Sequence, residues 1–592
     1  MKNFKILTAV LAFFLFPASL FSEEVSLEKA RQIAETFFGS RPLTRTSSSV
    51  DLKMVWDGGS RQTRGPADAP TFYVFDNASG PGFVIVAGDD LAKPVLGYSF
   101  ENEFVVEGMP ENVKAWMHGL EEAVTLARNN PSAFNVPTSS AVGNVVLKRE
   151  TAKWNQSAPY NNLCPFDGGT RSYTGCVATA VAIVMRYHKW PESGEGIIPA
   201  YTTSSKGISV PAIELGYEYD WDNMPLTYPQ YGYTDAQAQA VARLMADCGA
   251  MLAMDYTAEA SGAPTEFIPA ALDGFMKYDG SIGCYGRAYY TDSEWHAMIR
   301  KELEDNGPVI YSGHNDGSGH AFVLDGYTDN GYYSLNWGWG SQCDGYYTLD
   351  ALNPTDQGIG GSYDGYNLSQ NAILNVKKEE GGSSELRGYI VTYNGISGLC
   401  ADRTVFEPGV PFKLSTGLLT NASNEQFNGP FGFVVVDADQ QVKEEVYTFN
   451  AALPAGYGYQ FVDQDMVFYS QLDFGYQLIA AMYDDNRGKW VKLVTDKTDG
   501  SVDAIPLYDA FSIEKSTTFE YNTQTKVITL GVKDGVSASV LTEAGAVVDG
   551  VVQSSGNVVT VATASLEPGR YRLILSKASE AHEMYFVVGS EE

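Results

Sequence analysis

Thr174-Gly175-Cys176-Val177-Ala178-Thr179-Ala180 opens an apolar run, Val177 to Trp190, that Pro191 closes. A stretch apolar nearly all round reads as a buried helix. Cys176 then stands at a helix N-terminus, whose positive end stabilises a thiolate by about 0.3–2 kcal/mol. Taken alone, the segment reads equally as a small buried hydrophobe under a helix start. Two later segments change its meaning. Gly319-His320-Ala321-Phe322-Val323-Leu324-Asp325-Gly326 places an imidazole at the opening of an apolar strand, a rigid mount. Asn336-Trp337-Gly338-Trp339-Gly340 follows it. A thiol, an imidazole and a carboxamide in that order are the parts of nucleophilic acyl-transfer chemistry.

Each part has a role its chemistry suits. Cys176 is the candidate nucleophile, and Gly175 lets a substrate backbone come close. His320 is the candidate general base and acid. The chain has only six histidines. His118 and His582 lie in flanking units, His188 sits about three turns along the helix from Cys176, and His296 lies within a polar helix. His314 is the competitor, on the glycine-rich loop 312–319. Asn336 is expected to accept the second imidazole N–H and fix the ring tautomer. Trp337 and Trp339 are expected to shield that bond and wall the cleft, although Trp beside Gly is more commonly packing. Gln156, in Trp154-Asn155-Gln156, offers an amide donor for an oxyanion beside the backbone N–H of Cys176.

At 592 residues the chain exceeds one hydrophobic core, and domains of roughly 100–200 residues predict three or four. A net charge of −32 repels phosphate backbones and argues against nucleic acid as a partner. Lys2, Lys5, the apolar run Ile6 to Phe16 and Pro17-Ala18-Ser19 read as a secretory signal peptide, 1–22. No second apolar run of spanning length follows, so no integral membrane segment is expected after its removal. Residues 23–143 read as a small α+β unit: a helix from Leu27 with Ser26 as N-cap, strands around 72–75 and 82–90, and a helix from Asn112 to Arg128. Residues 144–377 read as helices followed by an antiparallel sheet, an α+β arrangement. Lys377 to Ser384 is a flexible linker by composition, taken as 378–384. Short alternating strands then predict an Ig-like β-sandwich over 385–506 and a second small β-sandwich over 507–592. The six cysteines are too few for a disulfide framework, and without a C-x-x-C pair no metal site is expected. No cofactor is implied.

Residues 23–377 resemble the streptopain family of secreted papain-like cysteine peptidases of bacteria. The matching segments are Trp154-Asn155-Gln156, Pro159-Tyr160-Asn161, the Cys176, His320 and Asn336 segments above, Met185-Arg186-Tyr187-His188, Leu244 to Gly249, Met254-Asp255-Tyr256, Asp344-Gly345-Tyr346-Tyr347 and Leu349 to Pro354. The resemblance implies a papain-like catalytic domain with a Cys176–His320 dyad, Gln156 in the oxyanion hole, and Asn336 and Trp337 supporting the histidine. Phe72 to Phe75, Gly82 to Asp89 and Val95 to Tyr98 resemble that family's prodomain. This implies a zymogen that cuts itself free within 137–148, its prodomain acting as intramolecular inhibitor. Protein or peptide substrates are implied, with an apolar residue second before the cut. The substrate-binding residues are expected to be Gly175, Gly319, Trp339 and two bordering loops, one with Ser261, Gly262 and Ala263 and one at 356–363. Two alternatives use the same residues differently: a Cys-His amidase or acyl transferase on this machinery, and a surface-binding protein built on the C-terminal modules.

Overall fold

The computed structural model describes residues 24–39, 51–58, 69–129, 142–229, 232–315, 318–350, 370–404, 406–472, 475–497, 500–507 and, with short gaps, 518–588. The signal segment and the loop 356–363 lie outside these residues, as do residues 137–141 of the expected cleavage region.

The first unit begins with α1 (Leu27–Gly39). The Lys29 N–H donates to Ser26 Oγ at 3.2 Å, the N-cap that the sequence predicts. An antiparallel meander follows: β1 (Leu52–Trp56), β2 (Phe72–Asn77), β3 (Phe83–Ala87) and β4 (Val95–Ser99). Alternation splits its apolar residues between two cores. Tyr73, Phe75, Val84 and Val86 pack with Ala30, Ala34 and Phe37 of α1. Phe72, Val74, Phe83 and Ile85 share a core with Val113, Trp116 and Leu120 of α2 (Glu111–Asn129).

Next come β5 (Val145–Lys148), α3 (Cys176–His188), α4 (Asp235–Met251), α5 (Ile268–Met276), β6 (Gly283–Gly286), α6 (Asp292–Asp305), β7 (Val309–Asn315), β8 (Ser318–Thr328), β9 (Tyr332–Asn336), β10 (Gly345–Thr348) and β11 (Asn371–Leu374). Capping boxes start α4, at Thr234 and Gln237, and α6, at Thr291 and Glu294. Helix α3 stops where Lys189 turns left-handed, two residues before Pro191. Helix α5 was not foreseen; its apolar face covers only nine residues.

Among the described residues eleven strands form one sheet, in the order β1-β2-β3-β4-β10-β9-β8-β7-β11-β6, with β5 also on β8. The junction is β4 against β10, pairing Tyr98 with Tyr346 and Gly97 with Tyr347. The N-terminal meander therefore extends the C-terminal sheet edge to edge. Helices cover both faces of β8. Ala321 and Val323 pack into the core that holds α3 and α4. Phe322 and Leu324 pack into the core that holds α2 and α6.

The stretch read as a flexible linker is tied down in part. The Asp279 carboxylate accepts the backbone N–H groups of Glu380 and Gly382 at 2.9 and 3.0 Å. A Cβ on Gly382 would meet Asp279 Oδ1 at 2.0 Å, so glycine is what permits this wrap.

A second unit begins at Leu386. Its first module packs sheets of four, three and five strands around Ile390, Leu414, Leu419, Phe433, Leu478 and Leu507. Its second is two four-stranded sheets closed over Ile528, Leu530, Val540, Val559 and Leu573. Both are sheet-rich, as the alternating pattern predicts.

Candidate active site

Cys176 is the first residue of α3, with Gly175 as N-cap at φ 86°. A left-handed φ is costly for any residue with a side chain. A Cβ on Gly175 would also meet Met254 Sδ at 2.7 Å and the Ser261 carbonyl at 3.0 Å. Gly175 is thus required by the turn and by Met254.

The Cys176 thiol is buried, and burial pushes it above its ordinary range. The backbone N–H groups of Ala321, Val177 and Cys176 itself pull the other way. The Ala321 N–H donates to Cys176 Sγ at 3.5 Å. His320 is next to it in the chain, and its backbone pairs with Gly313 in an unbroken β7–β8 register. Alternation therefore places Ala321 on the α3 face and His320 on the face of Phe322 and Leu324. The structure brings the histidine's strand to the thiol through Ala321.

Gln156 is held beside this corner, its carbonyl accepting the Thr174 N–H at 3.2 Å. The side chain is 4% exposed, and its Nε2 has no hydrogen-bond partner among the described residues. A buried amide donor without a partner is costly in a finished core. It suits a site that receives an oxygen only when substrate arrives.

Asn336 is fully buried. Its Nδ2 donates to Thr151 Oγ1 at 3.0 Å and to the Ala152 carbonyl at 2.9 Å, while its Oδ1 accepts the Gly338 N–H at 3.1 Å. These three bonds fix the plane of the carboxamide. Trp337 follows it in the chain. It is 1% exposed, 5.9 Å from the Trp116 ring of α2 and 4.8 Å from Phe322. It fills the core on the α2 face rather than lining a cleft. Its carbonyl accepts from the buried Asn112 Nδ2 at 2.7 Å. Trp339 is half-buried, 6.2 Å from the Tyr173 ring, and its indole N–H has no partner among the described residues. Gly338 and Gly340 turn the chain between them at φ 72° and 65°, and the Gly340 N–H donates to the Trp154 carbonyl at 2.8 Å. That bond ties the tryptophan loop to the Gln156 segment.

Of the loop residues, Ser261 is buried, with its hydroxyl donating to the Tyr173 carbonyl at 2.8 Å and accepting from the Thr257 N–H at 3.0 Å. Its hydroxyl braces the loop. Gly262 is exposed, bridging Asp255 through its backbone, and Ala263 is half-buried against the α3 core. Gly319 pairs with His314 through the backbone.

His188 and His296 are occupied elsewhere. His188 packs edge-on to Tyr278 and is pushed down to about 4 by burial. His296 contacts Asp350 and, at 2.8 Å, the Tyr333 hydroxyl. Sequence reasoning missed Asn112, Trp116 and Thr151, because none belongs to a motif and each acts through a long-range contact. Cys343 is buried, its Sγ accepting the Val105 N–H at 3.4 Å.

A thiol at a helix N-terminus, met by a strand that carries a histidine, defines the class of cysteine-type peptidases. The known proteins agree. The profile of the Peptidase C10 family matches residues 154–347, and that of the Spi protease inhibitor matches residues 22–124. Streptopain of Streptococcus pyogenes is 34% identical over 351 residues, 56% of this chain and 86% of streptopain. The thiol protease/hemagglutinin PrtT of Porphyromonas gingivalis is 32% identical over 382 residues, 62% of this chain but only 43% of that protein. The Prevotella intermedia prointerpain A fragment is 32% identical, with a TM-score of 0.46, covering 55% of this chain and 99% of the fragment. The chain belongs to the Peptidase C10 family of cysteine peptidases and carries an inhibitor-like domain ahead of the peptidase domain.

Proposed function

We propose that the chain is the precursor of a secreted cysteine endopeptidase, exported by the signal segment 1–22 and held latent by residues 23–143. The carrying observation is the Ala321 N–H on Cys176 Sγ, which sets the strand of His320 against the α3 N-terminus. Once the imidazole turns to the α3 face, it takes the thiol proton and leaves a thiolate–imidazolium pair. The sulfur attacks the scissile carbonyl, and the oxyanion takes the Gln156 amide and the Cys176 N–H. The imidazolium returns the proton to the departing amine, leaving an acyl-enzyme. Water, deprotonated by the same imidazole, then releases the acid and restores the thiol.

Latency follows from the same geometry. Asn112 and Trp116 of α2 pin the carbonyl and ring of Trp337, and Trp116 also lies 5.6 Å from Phe322 in the strand of His320. The buried thiol, pushed above its ordinary range, is then neutral at physiological pH. Cutting within 137–148 frees the inhibitory unit, and protein or peptide chains are the substrates.

The test compares purified residues 23–592 with Cys176→Ala under reducing conditions. Wild type is expected to shed its N-terminal unit and then cleave casein. The variant should stay intact alone and be cut when mature wild type is added. Equal processing of both chains alone would overturn the reading.

A further inference from the structure

The geometry points to Asp325, acting through Thr151, as a positioning residue that, together with the Ala152 carbonyl and the Gly338 N–H, holds which way the Asn336 carboxamide faces. This rests on the reading of Cys176 and His320 as the catalytic pair. Asp325, Thr151 and Asn336 are 0%, 2% and 0% exposed. The Thr151 hydroxyl donates to Asp325 Oδ2 at 2.6 Å. That leaves Thr151 Oγ1 only lone pairs to offer Asn336. The amide nitrogen must therefore face Thr151, where it sits at 3.0 Å, and the Ala152 carbonyl enforces the same choice at 2.9 Å. Oδ1 is left to face Gly338, with one lone pair available for an imidazole N–H. A flipped amide would turn its N–H groups toward both Gly338 and the ring, and the histidine would lose its acceptor.

The backbone is built for this. The β8–β9 register shifts between Leu324 and Gly326, so Asp325 is the extra residue of a β-bulge. Bulges re-aim a side chain beside a site. Here the bulge lies two residues past Val323, the register partner of Asn336. Gly326 beside it lets β5 lie close on the other side: a Cβ there would strike the Leu147 carbonyl at 2.3 Å. The buried charge is compensated by Lys148, which contacts Asp325 Oδ1 and Ser334 Oγ, and by Lys153, 3.9 Å from Oδ2. Lys153 also bonds Asp344 at 3.1 Å, and Asp344 accepts the Trp337 N–H at 2.9 Å. One charge cluster thus fixes both Asn336 and Trp337. Thr151, Lys153, Asp325 and Asp344 all follow the expected cleavage region and remain after maturation.

The experiment uses mature enzyme from wild type, Thr151→Val, Thr151→Ser, Asn336→Ala, the Thr151→Val/Asn336→Ala double variant and Asp325→Asn. It reads kcat and KM on a peptide, and the pH profile of Cys176 alkylation by iodoacetamide, followed on the Cys176 peptide by mass spectrometry. Thr151→Val is expected to lower kcat roughly ten- to a hundredfold with KM little changed. It should also reduce alkylation on the acid side, where only a thiolate–imidazolium pair reacts, and Thr151→Ser should restore both. The double variant should match Asn336→Ala alone. Multiplicative losses, or a wild-type alkylation profile in Thr151→Val, would overturn the proposal while leaving the dyad intact. If Cys176→Ala or His320→Ala retained full activity, the dyad reading would fail first and this inference with it. Should Asp325→Asn not fold, the threonine pair still decides.

Discussion

Gln156 shows how a single side chain can be costly to the fold and necessary to the chemistry. Its Nε2 is buried without a partner, so removing it deletes an unsatisfied donor rather than a bond. Gln156→Ala should therefore leave the thermal midpoint of the Cys176→Ala chain within a degree or two. In the active enzyme the same change should lower kcat by about 10²–10³. A loss of stability equal to that of an ordinary core truncation would mean that the amide is structural. Asn336 is the converse case: its three hydrogen bonds to Thr151, Ala152 and Gly338 make it a fixture first.

At the scale of elements, α2 and the meander explain restraint. Trp116 lies against Phe322 and Trp337. Truncating a buried tryptophan costs about 3–5 kcal/mol, here drawn from the docking of α2 onto β8. Trp116→Ala in the full chain should speed self-cleavage, and a gel time course beside wild type reads it directly; an unchanged rate would remove α2 from the latch. Strand β2 adds a pH term. Burial raises Asp76 to about 6, with the Phe104 N–H opposing it and Glu103 adding to it. A carboxyl raised in the fold binds its proton more tightly than in the unfolded chain. Its contribution is therefore favourable at acid pH and is lost as pH rises through about 6. Melting of the Cys176→Ala chain from pH 4.5 to 7.5 should show the N-terminal unit weakening across that window. Asp76→Asn, which keeps the acceptor for Phe104, should flatten the change.

Across the whole peptidase unit, the sheet itself carries the zymogen logic. Strand β10 is an edge that β4 covers, through Tyr98–Tyr346 and Gly97–Tyr347. Hydrogen exchange at Tyr346 and Tyr347 should be slow in the intact Cys176→Ala chain. It should accelerate once the N-terminal unit is cut and removed. Protection that persists after removal would mean that another segment takes over the edge.

The sequence by itself determined what local chemistry can carry. Apolar periodicity located α1 and α2, an all-round apolar run located α3, and short apolar runs marked β2, β3, β8 and β9, because elements buried on every side leave continuous runs that can be read residue by residue. The Cys176, Gln156, His320 and Asn336 segments were legible for a similar reason: their neighbours, glycine before the thiol and an apolar strand after the imidazole, are constraints of short range. Tertiary structure alone decided which face of β8 each residue occupies. It put the Ala321 N–H on the thiol, because strand parity depends on register against β7. It joined Asn112 to Trp337, 225 residues apart in the chain, and Thr151 to Asp325 across 174. Neither contact has a local signature, because a hydrogen bond of that span exists only once the sheet has brought its two ends together.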